Sequence, residues 1–458
     1  MRRAARASFA TLAAALAVAT LAACSGSSSR STATRPTAAT PRAVARQAVG
    51  VVTATYVDTS RPTPKSGPDP AQPRRTLVTT ILYPATGPAG STTPVRDAPP
   101  ARRDGPFPLI VFAHGLGASP QVYEPGLLDQ WVAAGYVVAA PQFPLTSSAT
   151  PNGVDAADVV NQPGDVSFVI TSILRASATR RGPLAGLVDP DRIGAAGHSN
   201  GAITTLGLVA NTCCRDPRVK AAAVLAGDTV AFPNGRYDFV HAPPLLFVHG
   251  TDDALLPYAG IVSAFDEARG PKGLLTIEHG DHSSAAAGQR ASSADVVRTT
   301  EDFFDAYLRD DGPARTRLAR DGEPGVTTLD FVTTRGATAT IPTIPEPPTQ
   351  RRATVEPSRN LRDGQTVTVR WSGFTPGKVV NVVQCSRGAP TPTSCDLRRG
   401  RILILDPTGS GSLRLQVVTG TVGQRVCDHA HPDCFVAVND ASLQEPSATV
   451  IVPITFAP

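Results

Sequence analysis

Thr338 to Gln350 reads TATIPTIPEPPTQ, and the hydrophobic pattern of the chain differs on its two sides. A stretch so dense in proline and threonine, with only Ile341 and Ile344 as large apolar residues, has no face to bury. Polyproline II is its expected state, and it is a linker. Before it, from about residue 46 to 335, apolar runs of strand length alternate with stretches of helical period. After it, from Arg351, short alternating strands are punctuated by Gly, Pro and Asp, and no helical period appears. At 458 residues the chain is too long for one ordinary domain, and 41% hydrophobic residues can fill a sizeable core. Its 43 prolines and 39 glycines leave much of the length to loops. The sequence shows no internal repeat.

The first half predicts an α/β domain. Strands are expected at Thr76–Tyr83, Leu109–Ala113, Tyr136–Ala140, Arg192–Gly197, Val219–Leu225, Leu245–His249 and Leu274–Glu278. Helices are expected at Leu127–Ala134, Asp165–Leu174, Ala202–Val209 and Val296–Leu308. Such alternation argues for a mostly parallel sheet with helices on both faces.

Gly197-His198-Ser199-Asn200-Gly201 stands between one of these strands and its helix. That context gives a G-x-S-x-G sequence its chemistry. A sharp strand-to-helix turn lifts the serine hydroxyl above the sheet at a helix N-terminus, and side chains at the flanking glycines would clash. A serine hydroxyl needs a base. His282, in Gly280-Asp281-His282-Ser283 after the last predicted strand, is the candidate; His279 is its rival, and His114 and His198 precede the serine in the chain. The base needs an acid to hold its tautomer. Asp253, in His249-Gly250-Thr251-Asp252-Asp253, completes the order Ser, Asp, His, with Asp252 and Asp228 as alternatives. The oxyanion needs amide donors, expected from Asn200 after the nucleophile and Leu116 in His114-Gly115-Leu116-Gly117.

Taken together, His114-Gly-Leu-Gly, Gly197-His-Ser-Asn-Gly, Gly-Thr-Asp-Asp253 and Asp-His282-Ser resemble the bacterial group of α/β-hydrolases that holds platelet-activating-factor acetylhydrolases, chlorophyllases and polyester hydrolases. The resemblance runs from about residue 50 to 310. It implies the α/β-hydrolase fold and ester hydrolysis without a metal or organic cofactor. It does not say which ester, whether lipid, polyester or small molecule.

A second resemblance covers about Ala353 to Phe456. Leu361-Arg-Asp-Gly-Gln-Thr-Val-Thr-Val, Gly373-Phe-Thr-Pro-Gly, Val383-Gln-Cys385 and Cys434-Phe-Val-Ala-Val are similar to the neocarzinostatin family of apoproteins. It implies an all-β, seven-stranded immunoglobulin-like sandwich with disulfides Cys385–Cys395 and Cys427–Cys434; spacing alone leaves three pairings open. A metal site in Cys427-Asp-His429-Ala-His431-Pro-Asp-Cys434 is the weaker interpretation, against a disulfide-closed loop with solvated histidines. Arg398, Arg399 and Arg401 read as a solvated strand end.

At the other end, Arg2, Arg3 and Arg6 precede an apolar stretch from Ala10 to Leu21, too short to span a bilayer comfortably. Leu21-Ala22-Ala23-Cys24 resembles the bacterial lipoprotein box, which implies lipidation of Cys24 and cleavage before it. Six cysteines remain, an even number that suits disulfides in an exported chain; the adjacent Cys213 and Cys214 could be a disulfide, two buried thiols or a surface redox pair. Losing the leader takes the formal charge from +5 to +2, too little to argue for nucleic acid.

The expected organisation is a leader at 1–24, a tether at 25–45, the hydrolase at 46–335, the linker at 336–352 and the sandwich at 353–458. The expected function is an exported serine esterase, held by Cys24 at the outer face of the cytoplasmic membrane or released, acting on a hydrophobic ester. Two other classes stay open: a binding protein with an inactive core and a ligand-holding sandwich, and a tethered scaffold.

Overall fold

A computed structural model describes residues 46–333 and 350–458, except 67–68, 89, 152–153, 231, 254, 287, 289, 375–378, 387–389, 391–393, 397–399, 405–408, 424 and 440–448. Cys24, the tether and most of the linker therefore lie outside the described residues, as do Arg398 and Arg399.

The first half folds around one large sheet. Its strands are β1 (Ala48–Asp58), β2 (Arg75–Ala85), β3 (Val95–Arg96), β4 (Phe107–Ala113), β5 (Val137–Gln142), β6 (Val188–His198), β7 (Val219–Leu225), β8 (Leu245–Gly250), β9 (Lys272–Ile277), β10 (Gly322–Glu323) and β11 (Thr327–Val332). Their order is β10-β11-β9-β8-β7-β6-β4-β5-β2-β1-β3. From β5 through β4, β6, β7 and β8 to β9 the pairing is parallel. Antiparallel neighbours flank this block: β2 on β5, and β11 on β9. Neither β1 nor β11 is among the predicted strands. β1 alternates buried and exposed residues over its second half, as an antiparallel edge does, and carries no continuous apolar run there.

Six helices complete this half: α1 (Asp129–Ala133), α2 (Gln162–Ser177), α3 (Asn200–Ala210), α4 (Tyr258–Glu267), α5 (Ser293–Leu308) and α6 (Gly312–Leu318). The two-residue period of β4 shows how they divide. Leu109, Val111 and Ala113 join a core with Val169, Ile170 and Ile173 of α2, Leu206 of α3 and Phe265 of α4. Ile110 and Phe112 face the other way, into a core with Trp131 of α1, Phe303 and Phe304 of α5 and Leu318 of α6. Strands buried on both sides read as unbroken apolar runs, which is why β4 and β7 are legible. The expected helix at Leu127–Ala134 is shorter than its apolar pattern, because a wide turn over Glu124–Leu128, with Gly126 at φ 96°, precedes α1.

Behind the sheet, Arg75 of β2 is fully buried and held by Asp158 and by Asp165 of α2 at 2.8 and 2.6 Å. Its guanidinium satisfies both carboxylates, each of which would otherwise be a costly buried charge.

The second half is all β, as expected. β12 (Arg352–Glu356), β13 (Thr366–Ser372) and β16 (Gly411–Gln416) form one antiparallel sheet; β14 (Val379–Ser386), β15 (Arg401–Ile404), β19 (Cys434–Asn439) and β20 (Thr449–Ile454) form another. β17 (Gly420–Val422) and β18 (Arg425–Cys427) make a separate ribbon. Inward residues of both sheets, among them Val355, Val369, Trp371, Val382, Leu415, Val436 and Ile454, share one core. Cys385 pairs with Cys395 and Cys427 with Cys434, the pairings the resemblance implied.

Candidate active site

Parallel strands all end at the same edge of a sheet, and loops at that edge converge there. β6 runs straight into α3, and the one residue between them is Ser199, whose φ of 58° and ψ of −122° no ordinary helix or strand residue adopts. The glycines explain why the turn tolerates this. A Cβ on Gly197 would lie 2.2 Å from the Gly201 carbonyl oxygen, and one on Gly201 would lie 1.9 Å from that of Ala113. Strain at Ser199, of order 1–3 kcal/mol for such a backbone, is held in place by packed β4 and α3.

His282 Nε2 lies 2.8 Å from Ser199 Oγ, and its Nδ1 lies 2.7 Å from Asp253 Oδ2. The serine needs an acceptor and the carboxylate accepts only, so Nδ1 carries the proton and Nε2 is the free base. Burial by itself would raise the Asp253 carboxyl. Hydrogen bonds from His249 and His282 outweigh it and hold the group well below the usual carboxylate range. The other candidates stand elsewhere. Asp252 pairs with His279 at 3.4 Å on an exposed turn, and Asp228 accepts the Thr229 amide at 2.7 Å. His279 has a 90% exposed side chain.

The amides of Leu116 and Asn200 fit an anion site. In the loop after β4, the Gly115 amide is taken by the Tyr123 hydroxyl and the Gly117 amide by the Thr146 carbonyl. Leu116 between them, and Asn200 at the first turn of α3, have no acceptor among the described hydrogen bonds. Asn200 also lies where the helix dipole favours negative charge.

Sequence reasoning passed over three side chains that hold this arrangement. His198 Nε2 donates to the His282 carbonyl at 2.9 Å, so its Nδ1 accepts from the Tyr123 hydroxyl at 3.0 Å, and that oxygen accepts the Gly115 amide. One relay thus ties the loop of His282 to the loop of Leu116. Burial, and then the nearby His282, push the His198 imidazole down to about 4, so it stays neutral at neutral pH. The third is Gln162, fully buried. Its Oε1 accepts from Asn200 Nδ2 at 3.1 Å and from the Thr204 hydroxyl, and its Nε2 donates to Thr146 Oγ1 at 2.6 Å. It bridges the two halves of the anion site. The pairs His198–His282, Tyr123–His198 and Gln162–Asn200 lie 84, 75 and 38 residues apart, so no local spacing signals them.

His114 is also structural: its Nδ1 donates to the Gly115 carbonyl, its Nε2 accepts the Phe143 amide, and burial lowers it to about 4. Cys213 is joined to Cys214, which sets aside the alternative of two free thiols.

Comparison with known proteins places this geometry in context. Residues 88–250 match the chlorophyllase family, a span that includes Leu116, Ser199 and Asn200 and ends before Asp253 and His282. Residues 353–456 match the neocarzinostatin family. Macromomycin of Streptomyces macromomyceticus is 39% identical over 64 residues, 14% of this chain and 44% of that protein, so the chain spans less than half of that relative. A solved ferulic acid esterase from Streptomyces cinnamoneus superposes with a TM-score of 0.42 at 21% identity, over 60% of this chain and 93% of that one. The chain thus joins a segment that matches the chlorophyllase family, set in an α/β-hydrolase fold, to one that matches the neocarzinostatin family.

Proposed function

We propose that the protein is a serine-dependent carboxylic ester hydrolase in which Ser199 is nucleophile, His282 base and Asp253 its orienting acid. The observation that carries this is the unbroken hydrogen-bonded path from Ser199 Oγ through both ring nitrogens of His282 to Asp253. The chlorophyllase-family match supports ester hydrolysis as the reaction class.

Each group has one task. As Ser199 Oγ attacks the ester carbonyl carbon, its proton passes to His282 Nε2, and Asp253 stabilises the imidazolium. Charge on the carbonyl oxygen falls to the Leu116 and Asn200 amides. Collapse breaks the bond to the alcohol, which takes the proton from His282, and water then releases the acid from the acyl-serine by the same steps. Leu116 is 40% and Val122 63% exposed beside the oxyanion loop, which suits a hydrophobic ester.

Ser199→Ala should lower kcat on p-nitrophenyl acetate by about 10⁴-fold or more and abolish fluorophosphonate labelling. Asp253→Asn should cost several orders of magnitude through the wrong imidazole tautomer, and Asp252→Asn and Asp228→Asn far less. Most of the activity surviving in Ser199→Ala would reject the mechanism.

The same proposal covers export and anchoring through Cys24. All six later cysteines are paired, as oxidising compartments allow. Several acyl chains anchor stably where one does not. Cys24→Ala should move the protein from the membrane to the soluble fraction; retention after a carbonate wash would count against the anchor.

A further inference from the structure

Asp253 is held by two imidazoles. On one oxygen, Oδ1, it accepts the amides of Leu255 and Leu256, each at 2.9 Å. On the other, Oδ2, it meets His282 Nδ1 at 2.7 Å and His249 Nε2 at 3.1 Å. His249 is the penultimate residue of β8, four positions before Asp253, and its side chain is fully buried. The mechanism above assigns it nothing.

Its hydrogen bonds define its state. Nε2 also lies 2.7 Å from the Leu256 carbonyl oxygen. Both neighbours of Nε2 are acceptors, so Nε2 carries the proton and shares it between them. Nδ1 is buried with no partner among the described residues. A lone pair there is a modest loss, whereas an N–H in that position would be a buried donor without an acceptor. The surroundings therefore place a proton on Nε2, facing the carboxylate.

The consequence is geometric. Asp253 stands after β8, where the Leu255 and Leu256 amides hold Oδ1 and the direction of Oδ2 is left to its own partners. The His249 ring comes from the rigid strand and reaches both the carboxylate and, through Leu256, the far end of the loop. The edge of its ring faces Tyr258, with centroids 6.1 Å apart, which limits its own rotation.

Granting the proposed triad, we infer that His249 is the positioning residue for Asp253, fixing Oδ2 where His282 Nδ1 requires it. Its role is exerted through the acid, and it touches neither substrate nor Ser199.

Two amide variants separate positioning from mere stability. Gln places a donor near the position of His Nε2; Asn, one methylene shorter, does not reach it. His249→Asn should lower kcat on p-nitrophenyl acetate by about 10–100-fold per folded protein with KM within about twofold, because an interaction of the acid is lost and no binding contact is. His249→Gln should recover to within about fivefold of the parent by restoring the donor. In the Asp253→Asn background His249→Asn should cost no more than about threefold, since residues acting as one unit are not additive. Equal kcat in the Gln and Asn variants, with only melting temperature changed, would overturn the inference, as would an undiminished loss in the double variant. Ser199→Ala is measured alongside. If that variant retains turnover, the triad itself fails and the role of His249 falls with it. If it is dead while both His249 variants are fully active, the triad stands and only the positioning role is rejected.

Discussion

His198 shows how one side chain can couple the site to the stability of the protein. Its imidazole sits at about 4 in the folded chain, against an ordinary value of 6.5, because burial penalises the charged form; His114 is held at about 4 by the same cause. Between those limits the unfolded chain binds protons that the folded chain does not. Stability is thus fully present above about 6.5 and is lost as pH falls towards about 4, by a few kcal/mol in order of magnitude for the pair. The melting temperature should fall over that window, and more shallowly in His198→Asn, although that variant starts lower. A parallel slope in the variant would remove His198 as the cause. Ser199, Asp253 and His282 were each selected from sequence by a local frame: a glycine-flanked turn, or a loop just after an apolar strand. The structure brings those three within hydrogen-bonding distance. Tyr123 and Gln162 have no such frame, and the frame around His198 does not reveal its bonds, because the partners of all three are set by which loops meet at the sheet edge.

Among the elements, burial decided what was legible. The central strands β4, β7 and β8 are covered on both faces, so apart from Lys220 near the start of β7 and His249 near the end of β8 their residues are apolar or glycine, and each was located to within about two residues. Edge strands have a weaker requirement. β11 is mostly half-buried, and β10 is two residues long. α4 was missed as well: its buried positions, Tyr258, Ile261, Ala264 and Phe265, fit a helix, but they lie in a segment with polar residues and no side-chain cap. The ion cluster of Arg75, Asp158 and Asp165 has no sequence signature, since nothing in the neighbourhood of Arg75 distinguishes it from a solvated arginine.

For the whole molecule, the change of pattern at the proline-rich stretch predicts a second unit able to fold alone. The all-β half has its own core and both of its disulfides within it. A fragment from Arg351 to Pro458 should give a β-type circular dichroism spectrum and no free thiols before reduction. The chain-entropy estimate gives each bridge about 2–3 kcal/mol. The complementary fragment ending before the linker should keep its turnover of small soluble esters. An unfolded sandwich fragment, or free thiols in it, would reject the division; a dead hydrolase fragment would show that the second half completes the site.

Sequence alone determined the two fold classes, the order Ser199, Asp253, His282 along the chain, and the paired use of the cysteines in the second half. These follow from local rules, because period, glycine placement and loop position act over a few residues. Tertiary structure set Asp253, preferred from sequence over Asp252 and Asp228, against His282, and it alone decided that His198 bonds the His282 loop and Gln162 bonds Asn200. It also decided that His249 shares the carboxylate of Asp253. Those outcomes depend on the direction in which side chains leave a turn and on which distant loops it meets. Hydrogen-bonding groups shut away from water must find partners wherever packing puts them.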